Sequence, residues 1–428
     1  MIGEKNAKGR VLALRKYENE IKNSLQKLLS FPSVQEPAEE GMPFGKPVHD
    51  ALRYMLDLGE TFGFRSRELE GYAGHIEWGE GEILGILTHL DVVPAGSDWT
   101  VPPFAATFRE GKIFGRGILD DKGPAVAVLY AMKRLKEEGF VPKKRIRLIM
   151  GCNEETGWKC MQYYMAHEEM PAVGFSPDGD FPVIHCEKGV LNVRLTFHGI
   201  SPALRELSGG ERVNMVPDRA RARFEREGRI VELSETGISS HGSQPQKGES
   251  AVFKILKKLA GIDPVIDLLN ARITDTFYGE HCGLALSDEK SGRLTLNLGL
   301  IEKKGDDLAV GLDIRYPVSV RREEILERLK VFGADIEVTG SHDSLYVDPD
   351  SELVRTLLDS YSRVTGEKGE SVAIGGATYA RILKNGVAFG PVFPDEEQTI
   401  HKADEHTTEE NFFKMCEIYC DAIRHLAE

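Results

Sequence analysis

Cysteine is scarce in this chain. Six of the 428 residues are cysteines (Cys152, Cys160, Cys186, Cys282, Cys416 and Cys420), and no two stand in a CxxC pair. That spacing offers no disulfide framework and points to reduced thiols in a cytoplasmic protein. Long apolar runs are missing as well. No stretch approaches the roughly 20 residues needed to span a bilayer, so no membrane partner is expected. The opening residues, MIGEKNAKGRVLALRKYENE, have no uninterrupted apolar core and do not read as a secretory signal. An excess of basic residues is absent too: the net charge is −14. A nucleic-acid binder needs a cationic footprint over the phosphates, and none is expected here. Net charge says little about a small substrate, because a cationic pocket can sit in an acidic protein.

What is present is the composition of a globular protein, 41% hydrophobic and 29% charged. The length suggests two to three domains. Residues 10–30 carry Leu12, Leu14, Tyr17, Ile21, Leu25 and Leu28 at helical spacing. EILGILTHLDVV (82–93) and RIRLIMGCNEE (145–155) are apolar β-type runs that end in polar tips. Between them come a loop with Pro and Trp99 (94–107), a short hairpin-like stretch and GRGILDDKGP (115–124). The helical run AVAVLYAMKRLKEEG follows and stops at Gly139. Strand, tip, helix, strand, tip is an α/β layout. Ligands bind beyond the carboxyl ends of such strands.

From about 188 the style changes to α+β. LNVRLTFHG, RLTLNLGLI and LAVGLDIRYPV read as strands, EEILERLK as one of two helices. After about 343 the α/β style returns with SELVRTLLDSYSRVTG, NGVAFGPVF and the closing helix TTEENFFKMCEIYCDAIRHLAE. The expectation is one α/β domain in two chain segments, 1–187 and 343–428, interrupted by an inserted domain, 188–342. There is no internal repeat.

The polar residues at the strand ends suggest chemistry. His89 and Asp91 are two apart, which in a strand puts both on one face. Either both bind a metal, or Asp91 holds the far nitrogen of a metal-bound His89. Asp120 and Asp121 precede a helix, where acids are favourable in any case. The nearby glycines lack the rest of a dinucleotide fingerprint. Glu154 and Glu155 are adjacent carboxylates with no basic neighbour, a pairing that makes sense if one binds a cation and the other is a general base. Asp178, in FSPDGDFPV, is an ordinary turn residue by itself. His401, in TIHKADEH, lies far along the chain. Mixed His and carboxylate donors suit zinc, with manganese or cobalt as alternatives. A shared carboxylate fits two-metal hydrolysis.

HLDVVPAG, GRGILDDKGP, NEETG, PDGDFPVIHCEKG, SSHGSQPQKGESA and IHKADEH together resemble, in order and context, the di-zinc metallopeptidases. That family includes carnosinases, aminoacylases and succinyl-diaminopimelate desuccinylases, and the likeness is nearest to PepV-type dipeptidases. The resemblance covers nearly the whole chain. It implies a mixed sheet flanked by helices as catalytic domain, an inserted α+β lid, and two divalent metal ions, Zn2+ first. His89, Asp120 and Asp178 should hold one ion and Glu155 with His401 the other, Asp120 bridging. Asp91 should orient His89. Glu154 should be the base toward the water between the ions. A cis peptide is implied at Asp120–Asp121. In the inserted domain His241 matches a histidine that stabilises the oxyanion, and Asn214 an asparagine near the substrate. Arg315 matches an arginine that holds the substrate carboxylate. Gly375 and Gly376 would let main-chain N–H groups approach that carboxylate. The inserted region, about 155 residues, is longer than a simple dimerising lid and shorter than a full PepV-type lid. The missing part falls after RARFEREGRIVEL, where a helix is expected. A monomer is the expectation, a homodimer the alternative.

The resemblance implies hydrolysis of dipeptides. One alternative is an N-acyl-amino-acid deacylase on the same scaffold. Another, of a different class, is a non-catalytic metal- or peptide-binding protein. His281 and the cysteines suggest no role, and Tyr316 and Trp99 suit a cleft or a core equally.

Overall fold

The computed structural model describes residues 13–428. They divide into two compact units. The first takes the chain up to His185, Val347–Val372 and Thr378–Glu428. The second takes Cys186–Tyr346 and Ala373–Ala377.

The first unit is built on a mixed sheet. Its strands run in the order Arg65–Leu69, Ala73–Trp78, Arg145–Gly151, Ile83–His89, Val173–Ser176, Asn385–Ala388 and Val183–Glu187. The four in the middle, Arg145–Gly151 to Asn385–Ala388, are mutually parallel; the flanking pairings are antiparallel. Every residue of Ile83–His89 is buried. A strand covered on both faces needs an unbroken apolar run, which ILGILTH supplies. The helix Lys122–Glu137 is almost wholly buried and packs against the closing helix Glu409–Leu426. Thr408 caps that last helix by accepting from the Asn411 amide, and Ser351 caps Glu352–Thr365 by accepting from Val354. The helix expected over 10–30 is Glu18–Leu29 after a 3-10 turn at Arg15–Tyr17. Leu14, Tyr17, Ile21, Leu25 and Leu28 are buried, while Leu12 lies outside the described residues.

The second unit is a seven-stranded antiparallel sheet, ordered Arg229–Thr236, Arg219–Arg226, Leu204–Gly209, Thr295–Lys304, Asp307–Tyr316, Gly189–His198 and Asp335–His342. Alternation is clean where one face alone is covered. In Arg219–Arg226 the buried residues are Ala220, Ala222 and Phe224, and in Gly189–His198 they include Leu191, Val193, Leu195 and Phe197. These pack in one core with Val252, Ile255 and Leu256 of the helix Ala251–Lys258 and with Ile325 and Leu329 of Arg322–Leu329. The unit has three helices of at least eight residues, Pro264–Arg272 being the third, where the sequence suggests two. After RARFEREGRIVEL the strand runs on to Thr236, and no helix follows before the 3-10 turn Pro245–Lys247 and the helix Ala251–Lys258. Arg229–Thr236 turns back as a strand through Glu227 and Gly228, both at positive φ, the geometry a two-residue hairpin needs.

The sequence reading puts residues 343–428 with the outer domain. Instead, Ala373–Ala377 joins the second unit. The cause is local bonding: the Ile374 carbonyl accepts from Lys188 N, and the Gly375 carbonyl from Arg315. No helix among the described residues is long and apolar enough to cross a membrane.

Candidate functional site

The parallel strands of the first unit aim their carboxyl ends at one place. His89 ends its strand and pairs in register with Gly151. Glu154 and Glu155 follow Gly151, and Asp178 follows Ser176. Asp120 arrives in the loop before Lys122–Glu137. His401 comes from the loop before the short strand His406–Thr408, which pairs with Lys112–Phe114.

These side chains form two overlapping donor sets, His89 with Asp120 and Asp178, and Asp120 with Glu155 and His401. Asp120 faces both ways. Its Oδ1 is 2.7 Å from His89 Nε2 and its Oδ2 is 2.9 Å from His401 Nε2. Asp178 Oδ2 stands 3.9 Å from His89 Nε2, and Glu155 Oε1 is 3.0 Å from His401 Nε2. His89 Nε2 is buried and, close as Asp120 is, meets no partner in hydrogen-bonding geometry. A buried, unsatisfied imidazole nitrogen facing carboxylates fits a cation. The peptide bond Asp120–Asp121 is cis.

The charge balance fits the same reading. Burial raises Glu154 well above the usual carboxylate range, and the charges of Asp178, Glu155 and Asp120 add to this against His89. Glu155 is raised by burial and by Asp120. Asp121, fully buried, is raised by burial and by Asp178. Asp120 goes the other way: burial opposes, yet His401 and His89 hold it below the usual range. Against burial, Asp120 and Glu155 lift His401 to about 11. So many carboxylates around two imidazoles call for added positive charge.

Asp91 works differently from the expectation. The group on His89 Nδ1 is the Asp91 main-chain oxygen, at 2.9 Å. The Asp91 carboxylate, 3.6 Å from that nitrogen, accepts from the amides of Glu154 (2.9 Å) and Glu155 (3.0 Å). His89 closes its strand, so Asp91 already lies beyond the pleat on which the same-face argument rests. One residue thereby orients the imidazole and pins the tip that carries both glutamates. Glu154 Oε1 also accepts from the Trp158 indole at 3.0 Å. Trp158 stands at positive φ and meets the Tyr379 ring edge-on.

In the second unit His241, Asn214, Arg315 and Gly375 form a local group. Met215 and His241 form a β-bridge, and the Asn214 carbonyl accepts from Gly242 N at 2.7 Å. Arg315 is nearly buried. Its Nε and one terminal nitrogen donate to Asp313 at 2.9–3.2 Å, and the other donates to the Gly375 carbonyl at 3.0 Å. A Cβ on Gly375 would meet Ser243, and one on Gly242 would strike the Asp313 carboxylate.

Sequence reasoning missed Asp313, Trp158, Arg116 and Glu405. Charged residues read as surface, whether in a loop (Arg116, Glu405) or on a strand (Asp313), and burial has no local sequence signal. An acid in the same short stretch as His401 was the only hint of Glu405. His281 contributes its carbonyl to Arg272. Tyr316 belongs to the second unit's core. Trp99 donates to the Ala95 carbonyl and lies under the Arg116 guanidinium. All six cysteines are unpaired and buried.

Residues 85–425 match the profile described as Peptidase family M20/M25/M40. YtjP of Bacillus subtilis (strain 168), provisionally named a dipeptidase, is 37% identical over 98% of this chain and 99% of its own. Human carnosine dipeptidase 1 shares the fold at 12% identity, with a TM-score of 0.64 and 98% of each chain covered. A tripeptidase from Staphylococcus aureus does so at 16%, with a TM-score of 0.60 over 96% of this chain and 98% of the other.

Proposed function

The chain belongs to peptidase family M20/M25/M40 and is a hydrolase, and from that premise we propose that it cleaves the peptide bond of dipeptides, with Glu154 as base beside a two-metal centre. The double donor set sharing Asp120 carries the reading. His89, Asp120 and Asp178 would hold one ion, and Asp120, Glu155 and His401 the other. When bound, two divalent ions supply Lewis acidity to the scissile carbonyl and bring the pKa of water toward about 7. Nitrogen and oxygen donors suit zinc, with manganese and cobalt as the alternatives.

The chain's own groups do the rest. Asp91 keeps His89 turned and Glu154 at its post. Burial makes Glu154 a stronger base than an exposed carboxylate. It takes the proton of the attacking water and gives it to the leaving amine. His241 donates to the developing oxyanion, and Asn214 lies beside it. Arg315 receives the substrate carboxylate. Asp313 and the Gly375 carbonyl already hold the guanidinium, so little ordering is left for binding. The amides of Gly375 and Gly376 would approach the same carboxylate. Six unpaired thiols support a reducing compartment, the cytoplasm.

The test is a panel of dipeptides and N-acyl amino acids offered to metal-stripped protein, with zinc, manganese or cobalt restored. Metal-dependent release of amino acids from dipeptides is the expected result. Cleavage of acyl amino acids alone would make the protein a deacylase with the same site. Silence across the panel, in protein that holds two metals, would sink the reading.

A further inference from the structure

We propose that Glu405 is a positioning residue, clamping the loop that carries Asp120 to the loop that carries His401 and so setting the spacing of the metal donors. The proposal rests on the reading of Asp120 and His401 as metal ligands.

Glu405 is fully buried. Its carboxylate lies in a nest of main-chain amides. Oε1 accepts from Leu119 N (2.9 Å), Gly117 N (3.2 Å) and Asp120 N (3.3 Å). Oε2 accepts from Gly117 N (3.1 Å) and from the Arg116 guanidinium (2.7 Å). The Glu405 main-chain oxygen accepts from Gly115 N at 2.9 Å. The two other amides of this loop are also taken, Arg116 N by the Pro103 carbonyl and Ile118 N by that of Gly115. The whole run from Gly115 to Asp120 is therefore fixed, and Glu405 fixes most of it.

A buried carboxylate is costly unless paired and hydrogen-bonded. Here one guanidinium and three amides meet that demand. Successive amides curled round an anion are a favourable arrangement. With its oxygens filled, Glu405 is no metal donor. It acts through Asp120, whose own amide it holds, and through His401 in its own loop. That loop is tied a second time, since Asp404 Oδ1 accepts from Thr100 N at 2.8 Å. Groups behind metal ligands typically change metal affinity or activity by about 10–100-fold when removed.

The experiment compares the wild-type protein with Glu405→Gln. A glutamine offers one acceptor oxygen where glutamate offers two, so either Arg116 or the amides lose their partner. Both proteins are stripped and titrated with cobalt(II), read by visible absorbance and by bound stoichiometry. The expected result is a folded variant whose cobalt affinity at one or both positions falls about 10–100-fold, with a shifted absorption band. Its kcat should recover as cobalt is raised, with KM for a dipeptide unchanged. Wild-type affinity and spectrum in E405Q, with only a lowered Tm, would overturn the proposal and leave Glu405 as a fold anchor. Wild-type protein that takes up no cobalt would instead overturn the metal reading, and this proposal with it. If E405Q does not fold, Arg116→Lys carries the test. It keeps the buried charge but loses the planar guanidinium that reaches both Oε2 and the Ala95 carbonyl, and it should shift affinity the same way by less. No shift in that variant would overturn the clamp.

Discussion

In the second unit the fully buried Asp313 lies against Arg315, and the two charges cancel where they stand. In the first unit Asp120, Asp121, Asp178, Glu154 and Glu155 crowd around His89 and His401, five carboxyl groups against two imidazoles. A matched pair can be complete within the fold. An unmatched cluster demands an ion from outside, so its stability and its chemistry depend on what binds. One unit balances its buried charge from within, the other leaves it open to an added cation.

The contrast is open to direct tests. The largest effect is expected from chelation. Removing metal should abolish hydrolysis, and restoring it should bring activity back; thermal melts should show a matching loss of stability that excess zinc reverses. Next, Glu154→Ala should lower kcat by about 10²–10⁴-fold while metal analysis still finds two ions. Near-normal turnover would remove Glu154 from the chemistry. Arg315→Ala should raise KM for free dipeptides by about 10–100-fold, the value of a charge-assisted hydrogen bond of about 1.5–3 kcal/mol, leaving metal content intact. Dipeptide amides, lacking the carboxylate, should not notice the change; an equal loss on both substrates would deny Arg315 that partner. Asp313→Asn would leave a buried guanidinium without its counter-charge. Urea unfolding should register a loss of about 3–5 kcal/mol, and a negligible loss would mean that the pair is not what holds this region.

The smallest effect concerns a buried base outside both sites. Burial, then the Arg147 charge, pushes His75 down to about 4, with Glu77 opposing. Its Nδ1 is 2.9 Å from the Tyr164 hydroxyl. As pH falls below about 6.5 the unfolded chain takes up a proton that the folded one refuses until about pH 4. Stability should therefore fall across that window, by about 3 kcal/mol in all. His75→Gln should flatten this acid limb, and an unchanged limb would assign it to other groups.

Most of the fold was legible because its strands and helices carry strong periodic patterns. ILGILTH and RIRLIMG read as buried strands, and LNVRLTFHG and LAVGLDIRYPV as strands of the inserted domain. The donors were legible because acids and histidines at apolar strand ends are unusual. What escaped was tertiary. Asp91 spends its carboxylate on two amides of a neighbouring strand tip. Arg315 is matched by Asp313, two positions earlier on the same strand, and not by a residue from elsewhere. Glu405 is buried because its loop meets the one before Lys122–Glu137. The bonds of Asp91 and Glu405 depend on which segments come together, which no short stretch of sequence records; that of Arg315 is local and was hidden because a charged pair on a strand reads as exposed.

His401 and Glu155 meet across 246 positions of chain, and the second unit's main segment is spelled out between them. A ribosome must therefore make that whole insertion, and continue as far as His401, before the donor set can close. Contacts of such long sequence separation also form late in folding. The set of His89, Asp120 and Asp178 is thus spelled out before the insertion, and the set that includes His401 only after it. Whatever the two donor sets can do together waits until the last imidazole takes its place.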